Sequence, residues 1–163
     1  MIKNIIYGDL SKQENLEFSF WGSNNILFLA GKAKNFNIEF KGDNSLIFIG
    51  DGVWFNTRGD IYIWSDCLCF MGDNTSCENG GFWIGENKNI IFGKDNQLSY
   101  ELWFRTTDQH VTCDTQSNKL INRGKSIYVS DHCWNWIRLY AFKRDKYSFW
   151  GYHRGGGKKP CFK

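Results

Sequence analysis

The feature that most constrains the fold is a repeat of about 20 residues in the first two thirds of the chain. Each unit ends an apolar run at a glycine turn and then enters another short apolar run, as in "FIGDGVWFNTRGDIYI" at residues 48–63. The marker glycines Gly31, Gly50, Gly72 and Gly93 are 19, 22 and 21 residues apart. Repeats of this kind are typical of solenoids, in which each unit buries its apolar face against its neighbours.

A looser six-residue pattern lies inside these units, in the order aliphatic, small, any, any, small, any. It fits "LAGKAK", "IGDGVW", "MGDNTS" and "VSDHCW", at residues 29–34, 49–54, 71–76 and 129–134. The pattern predicts three short strands per coil, with the aliphatic positions forming ladders inside an apolar prism. A β-sandwich with glycine-rich turns is the alternative, but a sandwich does not require the repeat.

Composition agrees with an all-β chain of one domain. The 163 residues include 8 Trp, 14 Phe, 7 Tyr and 17 Gly but a single Pro, and aromatic residues suit strands while Gly and Asn suit turns. Charge is uneven: the segment 135–163 carries +7, so the remainder of a chain with a total of +3 carries −4. We therefore expect no nucleic-acid partner for the body of the protein.

The N-terminal residues and the cysteines bear on location. The opening residues lack the long apolar core and small-residue cleavage site of a signal peptide, and no apolar run is long enough to span a membrane. The six cysteines include no CxxC pair, so we expect reduced thiols and no metal site. The sequence thus predicts a cytoplasmic protein without a membrane span.

The repeat is interrupted at "FRTTDQHVTCD", residues 104–114, by a charged segment that contains a histidine. From Gly93 to Trp134 the sequence resembles the hexapeptide-repeat acyltransferases, in which a coil ending "IRTSD.H" precedes a loop, an "IN" segment and a coil beginning "I.IGDHVWIG". The matching residues are Arg105, Thr106, Asp108 and His110, then Ile121 and Asn122, then Asp131, His132 and Trp134. The resemblance covers most of residues 20–134 and implies a left-handed parallel β-helix with a protruding active-site loop at about 105–124.

The resemblance also implies an activity: transfer of an acetyl group from acetyl-CoA to a sugar hydroxyl in surface polysaccharide biosynthesis, by a homotrimer with sites between neighbouring solenoids. It assigns His110 as the general base, because a neutral imidazole can take the hydroxyl proton near working pH. Asp108 either orients the imidazole or acceptor or caps its own turn, and Asp114 competes for the first role. Trp134 is expected beside the pantetheine arm, and Arg105 and Asn122 either bind donor or acceptor or pin the loop.

The tail, residues 135–163, departs from the family, whose members continue with further coils. Suppose that the DNA of this tail is read from the second base of codon 135. The last two bases of the Trp136 codon and the base after them then form GGA, and those of the Trp150 codon form GGG. Both triplets encode glycine. The other codons allow "WIG", "LLKG" and "IPSGAIIG" in the family's register. The hypothesis is a one-base frame change near codon 135, which separates a β-helix domain at 1–134 from an atypical basic tail and removes much of the donor site.

Two other functions remain open at this point. The chain could be a β-solenoid remnant that has lost catalysis with its donor site. It could instead be a carbohydrate-binding β protein that uses its exposed aromatic residues, although that reading does not explain the repeat or the histidine loop.

Overall fold

The fold is nearly all β, as predicted. The computed structural model describes residues 3–135, 140–142, 150–152 and 158–160, with side chains up to Trp134. Within these ranges the only helical element is a single 3-10 turn at Leu10–Lys12. No helix in the described part of the chain is long and apolar enough to cross a membrane.

Six parallel strands form the first face of a solenoid. They are β1 (Ile5–Tyr7), β3 (Ile26–Leu29), β5 (Leu46–Ile49), β7 (Leu68–Met71), β9 (Asn89–Phe92) and β12 (Ile127–Val129). Leu27 pairs with Ile47, Ile47 with Cys69 and Cys69 with Ile90, so that each coil advances by 20 to 22 residues. From β1 to β9, neighbours in this sheet are therefore one repeat apart along the chain.

The second and third faces belong to one bent sheet. Its strands are β2 (Glu14–Phe20), β4 (Ala33–Phe40), β6 (Val53–Ile63), β8 (Ser76–Ile84), β10 (Gln97–Leu98), β11 (Leu102–Arg105), β13 (Trp134–Asn135) and β14 (Tyr140–Phe142). The pairing shifts register between Lys34 and Phe36 and again between Phe55 and Arg58. These shifts divide each long strand into a second-face segment, such as 33–34, and a third-face segment, such as 36–40.

The bend is built by asparagine. Asn35 has a left-handed φ of 61°, which asparagine tolerates better than most residues. Its buried amide donates to the carbonyls of Phe55 and Asn56 at 2.7 and 3.0 Å, and accepts from the Asn15 amide at 2.9 Å. One side chain thus turns its own coil and ties it to the coils on both sides.

The core is a stack of inward columns. Leu29, Ile49, Met71 and Val129, the first positions of the six-residue pattern, occupy one buried column together with Phe92. This confirms the predicted ladder. The marker glycines align less well: Gly50, Gly72 and Gly93 share a corner, but Gly31 lies one position further, opposite Asp51, because the first spacing is 19 residues while the coil advances by 20.

The end of the chain is described only in short strands. Asn135 pairs with Leu98, β14 pairs in parallel with β11, and β15 (Trp150–Tyr152) pairs antiparallel with β16 (Lys158–Pro160). Most of the segment 135–163, on which the frame-change hypothesis falls, lies outside the described residues. The coils up to Trp134 form the predicted parallel β-helix.

Candidate active site

The predicted loop leaves the solenoid after β11 on the third face and rejoins it at β12 on the first face. Ile127 follows its register partner Ile90 by 37 residues, whereas the other coils advance by 20 to 22. The loop root is closed by the Lys125 N–H, which donates to the Thr106 carbonyl at 2.9 Å. The extra residues are therefore extruded from an otherwise regular coil.

The outer part of the loop is a small hairpin. Cys113 and Leu120 form an antiparallel bridge, and the Ile121 N–H donates to the Thr112 carbonyl at 2.9 Å. At its tip the Asp114 carboxylate accepts from the Ser117 hydroxyl and N–H, both at 2.7 Å. These bonds lower the pKa of Asp114. They make Asp114 the cap of its own turn.

His110 is exposed at the base of this hairpin, and Asn122 fixes the backbone around it. The Asn122 amide donates to the His110 carbonyl, and also to both Asp108 carboxylate oxygens at 3.0 and 3.1 Å. Its oxygen accepts from the Thr112 N–H at 2.8 Å. The structure thus brings together three of the predicted site residues, Asp108, His110 and Asn122.

Asp108 contacts the backbone of His110 in the manner of a turn cap. Its carboxylate accepts a long hydrogen bond, 3.4 Å, from the His110 N–H. This contact and the one with Asn122 are those that a turn cap makes, because both act on the path of the loop backbone. The other role of Asp108, orienting the imidazole or the acceptor, stays a prediction.

A glutamate that the sequence did not single out holds both ends of the loop. Glu86 lies one coil below the root, and its carboxylate accepts from the Thr107 hydroxyl and from the Gly124 N–H, each at 2.5 Å. Gly124 has room for no side chain, since a Cβ there would lie 2.8 Å from the Glu86 carboxylate and the Thr106 carbonyl. Only the stacking of coils reveals this contact across 38 residues of sequence.

Arg105 and Trp134 lie on different faces. Arg105 ends β11 on the third face, with its guanidinium carbon 3.3 Å from the centroid of the Trp83 ring, and burial lowers the pKa of Arg105. Trp134 is 47% exposed on the second face, opposite Gln97. His132 stands at a corner with φ 57°, in line with Asn74 and Asp95, which is the position of a turn residue.

Among the residues with described side chains, no group of three or more His, Cys, Asp or Glu residues is arranged to hold a metal ion.

The chain is similar to known proteins over most of its length. It is 32% identical over 115 residues to a polysialic acid O-acetyltransferase of Neisseria meningitidis; the match covers 69% of this chain and 53% of the relative. The chain therefore spans about half the length of the curated relative that it matches. No protein-family model matches it.

Two crystal structures share the fold. The polysialic acid O-acetyltransferase OatWY aligns with a TM-score of 0.74 and 25% identity, over 86% of this chain and 69% of that one. The polySia specific acetyltransferase NeuO aligns with a TM-score of 0.65 and 18% identity, over 88% of this chain and 69% of that one, and supports the fold alone.

Proposed function

Because the chain belongs to the hexapeptide-repeat β-helix acyltransferases, we propose that it is an O-acetyltransferase that moves an acetyl group from acetyl-CoA to a hydroxyl of a surface polysaccharide. The observation that carries the proposal is the exposed His110, whose backbone is fixed by Asn122 and Asp108 on a loop extruded from the β-helix. The relatedness to a polysialic acid O-acetyltransferase supports a polysaccharide as the acceptor.

The chemistry requires a base. His110 takes the proton of the acceptor hydroxyl while that oxygen bonds to the thioester carbonyl carbon, and the imidazolium returns the proton to the sulfur as the C–S bond breaks. Backbone N–H groups would stabilise the developing oxyanion. In this scheme Asn122 and Asp108 are positioning residues, because their described contacts set where His110 stands.

The test compares two histidines. His110→Asn should lower acetyl transfer to polysialic acid by about 10²- to 10⁴-fold, the usual contribution of a general base. The matched control is His132→Asn, because asparagine tolerates the left-handed backbone found there; it should retain transfer. Mass spectrometry of the polymer and release of the free thiol give the readouts. Turnover by His110→Asn equal to that of the unchanged protein would eliminate the proposed base.

We further propose that the active form is a homotrimer with a shared site. The loop root at Arg105 and the donor candidate Trp134 lie on different faces of one solenoid, so neighbouring copies can present them to each other. His110→Asn should lose the base and Trp134→Ala should lose donor binding, so mixing the two variants should restore part of the activity through mixed trimers. Absence of recovery, together with a monomer in sedimentation velocity, would contradict the shared site.

For the tail we propose the one-base frame change near codon 135. Asn135 pairs with Leu98 at a position where Phe55, Cys77 and Leu98 form a buried apolar column. The shifted frame encodes Ile or Thr there, and then a forced glycine. Ile and Thr are β-branched and suit a strand position better than asparagine does.

The coding DNA tests this proposal directly: codons that cannot encode Lys–Gly at 143–144 in the shifted frame would refute it. A gene with the frame restored should yield a protein that binds acetyl-CoA more tightly, by calorimetry, than the chain as written. Equal affinity of the two proteins would mean that the donor site does not depend on the altered segment.

We also propose a cytoplasmic location, where acetyl-CoA is made. The cysteines with described side chains, Cys67, Cys69, Cys77, Cys113 and Cys133, are all free thiols, which is the usual state in a reducing compartment.

A further inference from the structure

The third face carries an outward row of aromatic and cationic side chains that ends at the loop root. Tyr62, Trp83 and Arg105 occupy one register column on successive coils, and Trp103 stands beside them over Gly81, in the space where a side chain at 81 would lie. On the two preceding coils this register column holds Glu39 and Ser19. Lys41 and Trp21 lie two residues further along the chain, and they join the row because the Lys41 ammonium lies over the Tyr62 and Trp21 rings. We call these residues the aromatic strip: Trp21, Lys41, Tyr62, Trp83, Trp103 and Arg105.

Cations lie over the rings of the strip. The Lys41 ammonium is 5.1 Å from the Trp21 ring centroid and 5.6 Å from that of Tyr62, and the Arg105 guanidinium lies over Trp83. Trp21 is 74% exposed. Lys41 also pairs with Glu39, so the strip offers ring faces, positive charge and a carboxylate acceptor together.

The first face provides a contrast. Its outward rings stack on one another, with Phe28–Phe48 and Phe48–Phe70 interplanar angles of 16° and 10°. A ring stacked on both sides presents only its edge to a ligand. In the strip the interplanar angles are 82° for Tyr62–Trp83 and 80° for Trp83–Trp103, so these rings meet edge to face instead of stacking. The open ring at the end of the strip is Trp21, which is 74% exposed.

This chemistry fits an acidic polysaccharide. Sugar rings have apolar C–H faces that pack on aromatic rings, hydroxyls that bond to carboxylates, and acidic groups that bond to Lys and Arg. From Trp21 to Arg105 the strip crosses four inter-strand steps of about 4.8 Å, roughly 19 Å in all. That length suits an extended polymer better than a single sugar.

We propose that the aromatic strip binds the acceptor polysaccharide and directs it towards the catalytic loop. The proposal rests on the proposed function and names the acceptor surface for it. Arg105 immediately precedes the loop root, so a polymer on the strip reaches His110 from the N-terminal coils. The donor candidate Trp134 lies on the coil that follows the loop, so the approach from the preceding coils is left to the acceptor.

The experiment measures polysialic acid binding and acetyl transfer with a short and a long fraction of the polymer, and binding with neutral dextran as a comparison. The unchanged protein should bind the long fraction more tightly than the short one or dextran. Trp21→Ala and Lys41→Met should each weaken binding of the long fraction by about tenfold, as expected for a residue in a binding hot spot, and should raise its KM more than that of the short fraction.

The matched control is Trp54→Ala, which removes an equally large exposed side chain from the second face; it should leave binding of the long fraction unchanged. Circular dichroism and sedimentation velocity should show that all variants keep the fold and assembly. Strip variants that dissociate the assembly would instead make the strip a contact between copies of the chain, which overturns the proposal.

The outcomes separate the two proposals. Acetyl transfer without a preference for the long fraction, or strip variants that bind it normally, overturns the strip and leaves the proposed function standing. Strip-dependent binding of the long fraction without any transfer, by the chain as written and by its frame-restored form alike, supports the strip and contradicts the proposed function. Neither binding nor transfer would reject both.

Discussion

The coils and the loop are held in place in opposite ways. The inward side chains of the coils are almost completely buried, whereas residues 109–113 and 115–121 of the loop are exposed. The loop keeps its shape through single polar groups, chiefly Glu86 at its root and Asn122 at its centre. Substitutions in the coils should therefore change stability, and substitutions in the loop should change activity with little effect on stability.

The largest effect should come from a core ring. Phe82 is fully buried, and its ring packs against those of Phe55, Phe92 and Phe104. Phe82→Ala should lower the free energy of unfolding by about 3–5 kcal/mol through lost burial and a cavity. The denaturant midpoint measures this. The control is Val111→Ala, at an 83% exposed loop position, which should change the free energy of unfolding by no more than about 0.5 kcal/mol. Similar losses for both variants would contradict the contrast between coils and loop.

A smaller effect should follow from crowding two coils. A Cβ on Gly72 would lie 2.6–2.7 Å from the backbone of Gly93 and Lys94 in the next coil, and backbone cannot rotate away. Gly72→Ala should therefore cost about 1–3 kcal/mol in the free energy of unfolding. At Gly85 the nearest atom would be 3.3 Å away, on the Thr107 side chain, so thermal unfolding of Gly85→Ala should change less. The reverse order would show that coil spacing is not set at Gly72.

Much of the coil architecture could be predicted because it is periodic. Leu29, Ile49 and Met71 are one repeat apart in sequence and one strand apart in space, so the pattern gave their column directly. The spacing of the marker glycines lined Gly31 up with Gly50, whereas the six-residue pattern aligns Ala30 with Gly50, and the hydrogen-bonded ladder agrees with the pattern. The bend at Asn35 was not predicted, because it depends on a side-chain amide bonding to neighbouring coils.

The loop could be located from its sequence but its supports could not. His110 stood out as a histidine in a segment that breaks the repeat, and a resemblance to known loops gave it a role. Glu86 gave no such signal, because its partners Thr107 and Gly124 are distant in sequence. The aromatic strip was equally hidden: Trp83 and Arg105 meet only once the register of adjacent coils is known.

Substitution of Glu86 should have an intermediate effect and sharpens the comparison of coils and loop, because this residue belongs to a coil but holds the loop in place. Glu86→Ala should lower the free energy of unfolding by about 1–2 kcal/mol. It should also accelerate amide hydrogen exchange across residues 106–125 and lower kcat for acetyl transfer. The control is Glu78→Ala, whose carboxylate accepts from Asn56 at 2.8 Å on the coil surface and has no described bond to the loop. Loop exchange in Glu86→Ala as slow as in Glu78→Ala would show that the root does not depend on this carboxylate.

The smallest effect concerns acid and the hairpin tip. Hydrogen bonds from Ser117 lower the pKa of Asp114 in the folded loop. The stabilisation that ionised Asp114 gives the hairpin tip is therefore complete above the ordinary aspartate pKa of about 3.9, and it is lost as pH falls through the lower pKa of the folded loop. Amide exchange at residues 114–119, corrected for intrinsic pH dependence, should therefore accelerate in acid below about pH 4 while the coil amides stay protected. Asp114→Asn keeps an acceptor oxygen but cannot titrate, so its tip exchange should not show this change. If the coils and the tip lose protection together in acid, the loop is not the independent, polar-bonded unit that its contacts indicate.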